Sequence, residues 1–303
     1  MSANLKKILK KNEFIMYLYD WIREFYWKNC ISDKKLIKDR FKERLGRKVE
    51  LENPIKFNDK LQWLKLNWYD PLATRCSDKY KVRKYVKEKI GEKYLNELYE
   101  VYESVAEINF TKLPRSFVLK ATHGSGMNII CKDKRKINWD EEFKIMRRWL
   151  RRTYGLSKVE WVYRDIKPRI ICEKYLEGEN GKSPKDYKIF CFNGEPKFIE
   201  VDFDRHTSHK RNLYDRKWNF IDAEIIYPNK PNKKISKPIN FDEMLRVSKI
   251  LSEDFPHVRV DLYNIFGKIF FGELTFFHES GMGKFKPEEF EVEVGKWLEL
   301  PKS

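Results

Sequence analysis

Two carboxylates within strongly apolar stretches are the residues of this 303-residue sequence best suited to chemistry. Asp261 lies in VRVDLY and Glu273 in GELTF, and the turn expected at residues 266–267 predicts that the two stretches pair as a hairpin. Pairing would bring both carboxylates to one face of a sheet. Burying a carboxylate alone costs several kcal/mol, so each needs a cation or a metal. The pattern indicates either a Mg²⁺ site, since a hard dication relieves their repulsion, or salt bridges to Arg259 or Lys268.

A loop with two glycines, HGSG, directly follows a predicted strand, RSFVLKAT (115–122). Glycine N–H groups can approach phosphate oxygens, and Lys120 at the end of the strand would add a positive charge. The spacing matches neither the P-loop nor the dinucleotide-binding fingerprint. A tight structural turn therefore explains Gly124 and Gly126 as well as phosphate binding does, and His123 alone is more typical of a structural role.

A second predicted hairpin, DYKIFCFNGEPKFIEVDFD, carries charged residues at alternating positions around an Asn-Gly turn. Asp186 and Lys188 on one strand, and Asp202 and Asp204 on the other, are spaced to share a face of the sheet. Simple exposure to solvent would explain the same alternation.

The predicted secondary structure places these residues in a chain that begins with helices. Helical periodicity covers residues 13–27, 33–48, 61–68, 77–90 and 239–255. A further strand is predicted at 168–176. Helices first, followed by antiparallel hairpins mixed with helices, argue for an α+β fold and against a doubly wound parallel sheet.

The composition predicts a folded protein without structural disulfides. Lys and Arg exceed Asp and Glu by 63 − 46 = 17, and 41% hydrophobic residues suffice for a core, which excludes disorder as the main state. Five scattered cysteines without C-x-x-C spacing argue against a disulfide framework and a zinc site. No apolar run approaches the roughly 20 residues that span a bilayer, and charged residues interrupt the N-terminal apolar stretch. We therefore expect a cytoplasmic protein.

The excess positive charge is concentrated in two segments. Residues 1–50 hold 14 Lys and Arg against 7 Asp and Glu, and residues 205–239 hold 9 against 3. Such segments favour anionic partners, although solvated lysine-rich surfaces have the same composition. We expect no nucleic-acid partner, because zinc-finger, RNP and basic-heptad signatures are absent. The aromatic-rich helix at 13–27 could rest on an anionic membrane, as a peripheral contact through residues 1–30, or dock on the body of the protein.

Several blocks, taken in order, resemble the ATP-grasp superfamily and most closely its TupA-like branch, which is linked to teichuronopeptide and other cell-surface polysaccharide. The blocks are NDKLQWLKL, SDKYKVRKYV, LPRSFVLKATHGSG, PRIICEKYLEG, DYKIFCFNGEP, RNLYDRKW, FPHVRVDLY and GELTFF. They cover roughly residues 57–300, and their order and spacing are far more specific than any one motif.

The resemblance implies a fold of two α+β subdomains whose antiparallel sheets clasp ATP. The implied parts are a basic helical extension at 1–50, a helical region at 51–110, and an ATP-grasp domain at 111–303 with subdomains of about 111–172 and 173–303.

The resemblance also assigns residues to ATP. Two lysines correspond to the phosphate-binding lysines, the HGSG loop to a flexible loop over the triphosphate, and EKYL to a hinge that reads adenine, followed by a ribose-binding glutamate and the next strand. In that order the residues are Lys79, Lys120, His123, Gly124, Ser125, Gly126, Glu173, Lys174, Tyr175, Leu176, Glu177, Asp186 and Lys188.

For metal and substrate, the resemblance assigns Asp261 and Glu273 to Mg²⁺. Thr275 stands where related ligases usually carry the asparagine of the metal site, and its hydroxyl is a poorer direct ligand. Arg259 is similar to an arginine that stabilises an acyl-phosphate. The remaining candidates near the transferred phosphate and the incoming substrate are Arg205, Asn212, His278 and Ser280.

The activity implied is that of an ATP- and Mg²⁺-dependent carboxylate–amine ligase that acts through an acyl-phosphate. Its partners would be an acidic small-molecule or polysaccharide acceptor, such as a uronic acid of a capsule or wall polymer, and an amine donor. One alternative is a glycosyltransferase-like enzyme of polysaccharide biosynthesis, for which Asp202-Phe203-Asp204 offers a D-x-D metal motif. A noncatalytic basic binding module is a further alternative.

Overall fold

The computed structural model describes residues 13–178, 181, 184–204, 207–233 and 235–302. Eight α-helices lie in these ranges, and none of these eight combines the length and the hydropathy of a bilayer-spanning segment. They are α1 (Glu13–Asn29), α2 (Asp33–Leu45), α3 (Phe57–Asn67), α4 (Pro71–Ser77), α5 (Val82–Ile90), α6 (Trp139–Arg151), α7 (Phe241–Ser252) and α8 (Glu288–Trp297).

Twelve strands form three antiparallel sheets in the same part of the chain. A four-stranded sheet has the order β1-β4-β2-β3, a six-stranded sheet the order β11-β10-β5-β6-β7-β8, and β12 pairs with β9. The strands are β1 (Leu98–Tyr102), β2 (Phe117–Ala121), β3 (Asn128–Cys131), β4 (Ile170–Lys174), β5 (Asp186–Phe192), β6 (Glu195–Phe203), β7 (Lys210–Asp215), β8 (Phe220–Ile221), β9 (Glu224–Ile225), β10 (His257–Ile265), β11 (Lys268–Thr275) and β12 (Phe285–Lys286). The predicted α+β fold is confirmed.

Both predicted hairpins form, and each turns at a residue followed by glycine. Asn193 and Gly194 have φ of 49° and 79°, and Phe266 and Gly267 have φ of 50° and 84°. Two successive residues with positive φ are what a type I′ turn requires, and its twist matches that of the flanking strands.

Three helix predictions need correction. The helix predicted at 77–90 begins only at Val82, because Asp78 Oδ1 accepts hydrogen bonds from the backbone N–H groups of Tyr80 and Lys81 and so favours a turn there. The helix predicted to reach residue 48 ends at Leu45, since Gly46 adopts a left-handed cap. Residues 98–102, placed in a helical region, form β1, which gains its backbone partners only from the distant β4.

The two larger sheets bury separate cores. The six-stranded sheet packs against helices α3, α4, α5, α7 and α8 in the larger core, and the four-stranded sheet packs against α6 in the smaller one. The faces of the two sheets that are not used for these cores are therefore available to form a site. All five cysteines are free thiols.

Candidate active site

A cleft of about 460 Å³ is lined by both of the larger sheets. The four-stranded sheet contributes Lys120 and Asn128, and the loop between their strands contributes Ser125 and Gly126. The six-stranded sheet contributes a set of charged residues from five strands. They are Asp186, Lys188, Asp202, Arg211, Arg259, Asp261 and Glu273.

Strand alternation sorts the residues of β10 between core and cleft. Val258, Val260 and Leu262 are buried in the larger core, whereas Arg259 and Asp261 line the cleft. The charged residues of the predicted hairpins therefore share one face because every second residue of these strands is needed for the core.

The register aligns four charged residues in one row across four strands. Asp261 lies opposite Glu273 of β11 on one side and Lys188 of β5 on the other, and Lys188 lies opposite Glu200 of β6. The convergence of Asp261 and Glu273 that the hairpin predicts is present.

A β-bulge at Gly272 interrupts this hairpin beside the two carboxylates. Asp261 pairs with Glu273 but Leu262 pairs with Phe271, so Gly272 is the extra residue. A Cβ atom at Gly272 would lie 2.9 Å from the carbonyl oxygen of Asp261. Glycine is therefore required at the point where the bulge redirects Glu273.

Arg259 connects the two carboxylates of the β10–β11 hairpin. Its Nε and Nη2 atoms each donate to one carboxylate oxygen of Asp261 at 2.6 Å. Nη2 also lies 3.5 Å from Glu273 Oε1 and 3.2 Å from Thr275 Oγ1. Burial raises the pKa of Asp261 to about 7, which Arg259 only partly offsets. Burial also opposes ionisation of Glu273, but Lys79 and Arg259 outweigh it and hold the pKa of Glu273 below its usual value.

The donor set of this hairpin fits Mg²⁺. Two carboxylates and the Thr275 hydroxyl face one cleft, and Mg²⁺ prefers one or two carboxylates completed by water and phosphate oxygens. Among the described residues, no group of three or more His, Cys, Asp or Glu side chains is arranged to hold a metal by itself. Asp261 and Glu273 would thus hold the ion together with a phosphate ligand.

Lys79 connects the glycine loop to this acidic pair. Its Nζ donates to the carbonyl oxygen of Gly124 at 2.7 Å and lies 3.5 Å from Glu273 Oε2. Tight packing fixes the loop, because a Cβ atom at Gly124 would lie 2.6 Å from the side chains of Met127 and Tyr154. Its middle residues, Ser125 and Gly126, line the cleft, as the phosphate-loop hypothesis expects.

His123 is not brought into the cleft. Its ring is buried, and Nε2 lies 2.9 Å from the carbonyl oxygen of Trp149 in α6. Burial lowers the pKa of His123, which favours the neutral ring. The side chain therefore anchors the start of the loop to α6, in line with the structural reading of this residue.

Lys120 and Arg83 both form ion pairs with Glu173, the first residue of the predicted hinge. Lys120 Nζ donates to Glu173 Oε2 at 2.7 Å, and Arg83 donates to Glu173 Oε1 at 3.0 Å. None of the residues 173–177 lines the cleft. The N–H of Lys174 already donates to the carbonyl oxygen of Glu97. Glu173 instead lines a small adjoining cavity, which shares Lys79, Lys120 and Gly272 with the cleft.

A cluster of ion pairs on β5, β6 and β7 forms another part of the cleft wall. Asp202 lies 2.8 Å from both Lys188 Nζ and Arg211 Nε, and Arg211 Nη2 lies 2.9 Å from Glu200. Lys188 Nζ also lies 2.8 Å from Asp186. Burial raises the pKa of Asp202, but the two cations outweigh it and hold that pKa well below the usual value.

Sequence reasoning missed Arg211 and chose its neighbour Asn212. Alternation on β7 turns Arg211 to the cleft, whereas Asn212 donates to the carbonyl oxygens of Lys230 and Lys233 and pins that loop. The register of Asp202 with Arg211 is the signal that could have identified this arginine. The predicted Arg205 lies outside the described residues.

The turn after β11 also reaches the cleft wall. Ser280 lines the cleft with a left-handed φ of 59°, and its Oγ accepts from Lys65 Nζ at 2.9 Å. Burial lowers the pKa of Lys65 to about 7. His278 is buried beside Glu200 and does not line the cleft. Of the two substrate candidates in this turn, the structure brings only Ser280 to the site.

Comparison with known proteins identifies one matching family. A family model described as TupA-like ATPgrasp matches residues 59–299. No curated protein matches the sequence.

The solved structures that match this chain include three proteins of low sequence identity. The D-alanine–D-alanine ligase from Bacillus anthracis, complexed with ATP, is 15% identical, with 79% of this chain and 61% of that chain covered and a TM-score of 0.37. The ADP complex of N5-carboxyaminoimidazole ribonucleotide synthetase is 14% identical, with 81% and 57% covered and a TM-score of 0.43. An L-amino acid ligase from Bacillus licheniformis is 14% identical, with 74% and 49% covered and a TM-score of 0.42. The chain thus matches about half to three-fifths of the length of these proteins.

Proposed function

The chain belongs to the TupA-like ATP-grasp family, and from this membership we propose that it is an ATP- and Mg²⁺-dependent carboxylate–amine ligase. The observation that carries the proposal is the pair of carboxylates, Asp261 and Glu273, which face each other across the β10–β11 hairpin in the same cleft as Lys79 and Lys120. A site for a nucleoside triphosphate needs carboxylate oxygens that bind a divalent ion and lysines that bind phosphate oxygens.

The residues around the β10–β11 hairpin would have different roles in phosphoryl transfer. Lys79 and Lys120 would hold phosphate oxygens, and Arg259 would stabilise charge that develops on the transferred group. Asp261 and Glu273 would hold Mg²⁺, which neutralises phosphate charge when bound. Arg259 donates two hydrogen bonds to Asp261 in the free protein. If Asp261 held Mg²⁺ instead, the guanidinium of Arg259 would be free to contact the substrate.

The proposed ligation has two steps. An oxygen of the acid attacks the γ-phosphorus of ATP, which gives an acyl-phosphate and ADP. The nitrogen of the amine then attacks the acyl carbon, expels phosphate and loses a proton, which leaves an amide. The 124–126 loop would cover the intermediate, since water would otherwise hydrolyse it.

We further propose that the acid belongs to a cell-surface polysaccharide or its precursor. The support is the resemblance of the sequence to proteins of teichuronopeptide synthesis, together with the basic segment at 205–239, which suits a polyanionic acceptor. A uronic acid that receives an amino acid meets both requirements.

The glycosyltransferase alternative is not favoured by any observation on the described residues. Asp202 is buried between Lys188 and Arg211, whereas Asp204 is paired with Lys233 at the surface. The two carboxylates of the D-x-D motif are therefore in different environments and already have cationic partners.

Calorimetric titration with ATP plus Mg²⁺ and, separately, with UDP-sugars tests the proposal. We expect Mg²⁺-dependent ATP binding that weakens roughly 10–100-fold in Glu273→Gln, because one of two metal carboxylates is lost. Glu195→Gln is the matched control, since Glu195 pairs with Lys249 at the surface outside the cleft. UDP-sugar binding without a response to ATP would overturn the ligase proposal.

A further inference from the structure

Helix α1 turns an apolar face toward solvent. Seven of its large apolar side chains are 40–53% exposed, and they make up half of the fourteen exposed large hydrophobic residues in the described ranges. They are Ile15, Tyr17, Leu18, Trp21, Ile22, Phe25 and Tyr26. We call this set the aromatic face. The seven positions occupy one side of the helix, and the rings of Trp21 and Phe25 stack at 5.7 Å.

The opposite side of α1 holds the helix to the protein, where Trp27 packs against the small cluster of Leu36, Ile37 and Val159 and two acidic side chains make polar contacts. Asp20 accepts from Arg148 of α6 at 2.8 Å, and Glu24 accepts from the backbone N–H of Thr153 at 3.0 Å. An amphipathic helix normally buries its apolar side against the core and exposes its polar side. Here the side with Asp20, Glu24 and Trp27 is docked, and the larger aromatic face is left for a partner outside this chain's core.

The rim of the aromatic face is basic. Arg151 lies 5.8 Å from the ring centre of Tyr17, and Lys28 is exposed in the last turn of the helix. No acidic side chain belongs to the outward side of α1 between residues 15 and 28. The twelve preceding residues contain four lysines and no Asp or Glu.

We propose that the aromatic face docks on an anionic lipid surface. Aromatic and branched apolar side chains bind at the boundary between headgroups and acyl chains, and flanking Lys and Arg bind anionic headgroups. A second copy of the chain is a poorer occupant, because it would bring two basic rims together. The helix would lie along the surface, since no described helix can span a bilayer.

Docking on this face would hold the cleft beside the lipid surface. Helix α1 packs along residues 152–158, and Tyr154 and Lys158 of that segment line the cleft. The proposal does not depend on the ligase activity, because it rests only on α1 and its rim.

Vesicle flotation with the full chain tests the proposal. The vesicles are phosphatidylcholine alone, or phosphatidylcholine with about 30% phosphatidylglycerol, at an ionic strength of about 0.15 M. We expect binding to the anionic vesicles only, and a loss of roughly tenfold or more in Trp21→Ser/Phe25→Ser, because two exposed rings no longer insert. Ile239→Ser/Phe266→Ser is the matched control, since both of its residues are more exposed than Trp21 and Phe25 but lie outside α1, and it should bind as the unaltered protein does.

Three results would overturn the proposal. The first is the absence of binding to anionic vesicles by the unaltered protein. The second is equal binding by the α1 variant and the control. The third is a dimer in light scattering that Trp21→Ser/Phe25→Ser dissociates while no vesicle binding occurs, which would assign the face to self-association. ATP binding measured on the same preparations separates a failure here from a failure of the ligase proposal.

Discussion

The two hairpins on the cleft face of the six-stranded sheet carry similar charges but balance them differently. In β5–β6, the carboxylate of Asp202 lies between the two cations Lys188 and Arg211 and is 3% exposed. In β10–β11, Asp261 and Glu273 share Arg259, and Glu273 is 32% exposed. In the first arrangement, the carboxylate is enclosed and already held by two cations. In the second, two carboxylates share one arginine on the cleft face, and Glu273 is open to solvent, which suits a divalent ion and a phosphate.

The largest difference should appear when the carboxylates of each hairpin lose their arginine, which is Arg211 of the neighbouring β7 for the first hairpin and Arg259 for the second. Arg211→Met leaves Asp202 and Glu200 buried without that partner, so we expect a loss of about 3–5 kcal/mol in the free energy of unfolding. Arg259→Met should cost less, because Glu273 is partly exposed and Asp261 readily accepts a proton. Chemical denaturation of both variants at neutral pH checks this. Equal losses would contradict the contrast between the hairpins.

Nucleotide binding should respond in the reverse order. Asp261→Asn removes a proposed metal ligand, and we expect Mg²⁺-dependent ATP binding to weaken roughly 10–100-fold. Asp204→Asn is the control on the other hairpin, because Asp204 is exposed and pairs with Lys233. Calorimetry with and without Mg²⁺ measures both variants. An unchanged affinity in Asp261→Asn would mean that this carboxylate is not a ligand.

The bulge should matter less than the carboxylates it positions. Gly272→Ala places a methyl group against the backbone of Asp261, so the hairpin must shift at a cost of about 1–3 kcal/mol and ATP binding should weaken by several-fold. Gly283→Ala is the matched control, since its new Cβ would meet only ordinary contacts at 3.4 Å or more. Thermal unfolding and calorimetry on both variants test the assignment. Normal ATP binding by Gly272→Ala would show that the bulge does not position Glu273.

The smallest expected effect concerns pH: the contributions of Asp261 and Asp202 to the free energy of unfolding should change in opposite directions as the pH rises. Asp261 has a raised pKa, so its stabilising contribution is full below its unfolded value of 3.8 and is lost as the pH rises through about 7. Asp202 has a lowered pKa, so its contribution is present above 3.8 and is lost as the pH falls further. Each slope is at most about 1.4 kcal/mol per pH unit.

Unfolding free energies measured from acidic to neutral pH separate the two groups. Relative to the unaltered protein, Asp261→Asn should gain stability as the pH rises toward 7, and Asp202→Asn should gain it as the pH falls below 4. Parallel curves for the two variants would remove this distinction between the hairpins.

Predictions from the local sequence were accurate where neighbouring residues alone determine the structure. The alternation around Asn193-Gly194 and Phe266-Gly267 placed both hairpins, because a two-residue turn determines which residues pair. The turn at 78–81 and the strand at 98–102 were missed, because the hydrogen bonds of the Asp78 side chain decide the first and a distant partner strand decides the second. Among the site residues, Asn212 was chosen over Arg211 because a motif position does not state which side of a strand faces the cleft.

Residue types and short-range spacing were sufficient to identify the family, the antiparallel hairpins and the two carboxylates that meet between strands. Which charges are neutralised depends on the fold. Arg211 and Lys188 enclose Asp202, His123 is buried against α6, and α1 docks through Asp20, Glu24 and Trp27, which leaves its aromatic face outside. The physical reason is that burial and ion pairing depend on groups distant in sequence, and the strength of each charge depends on which of those groups surrounds it.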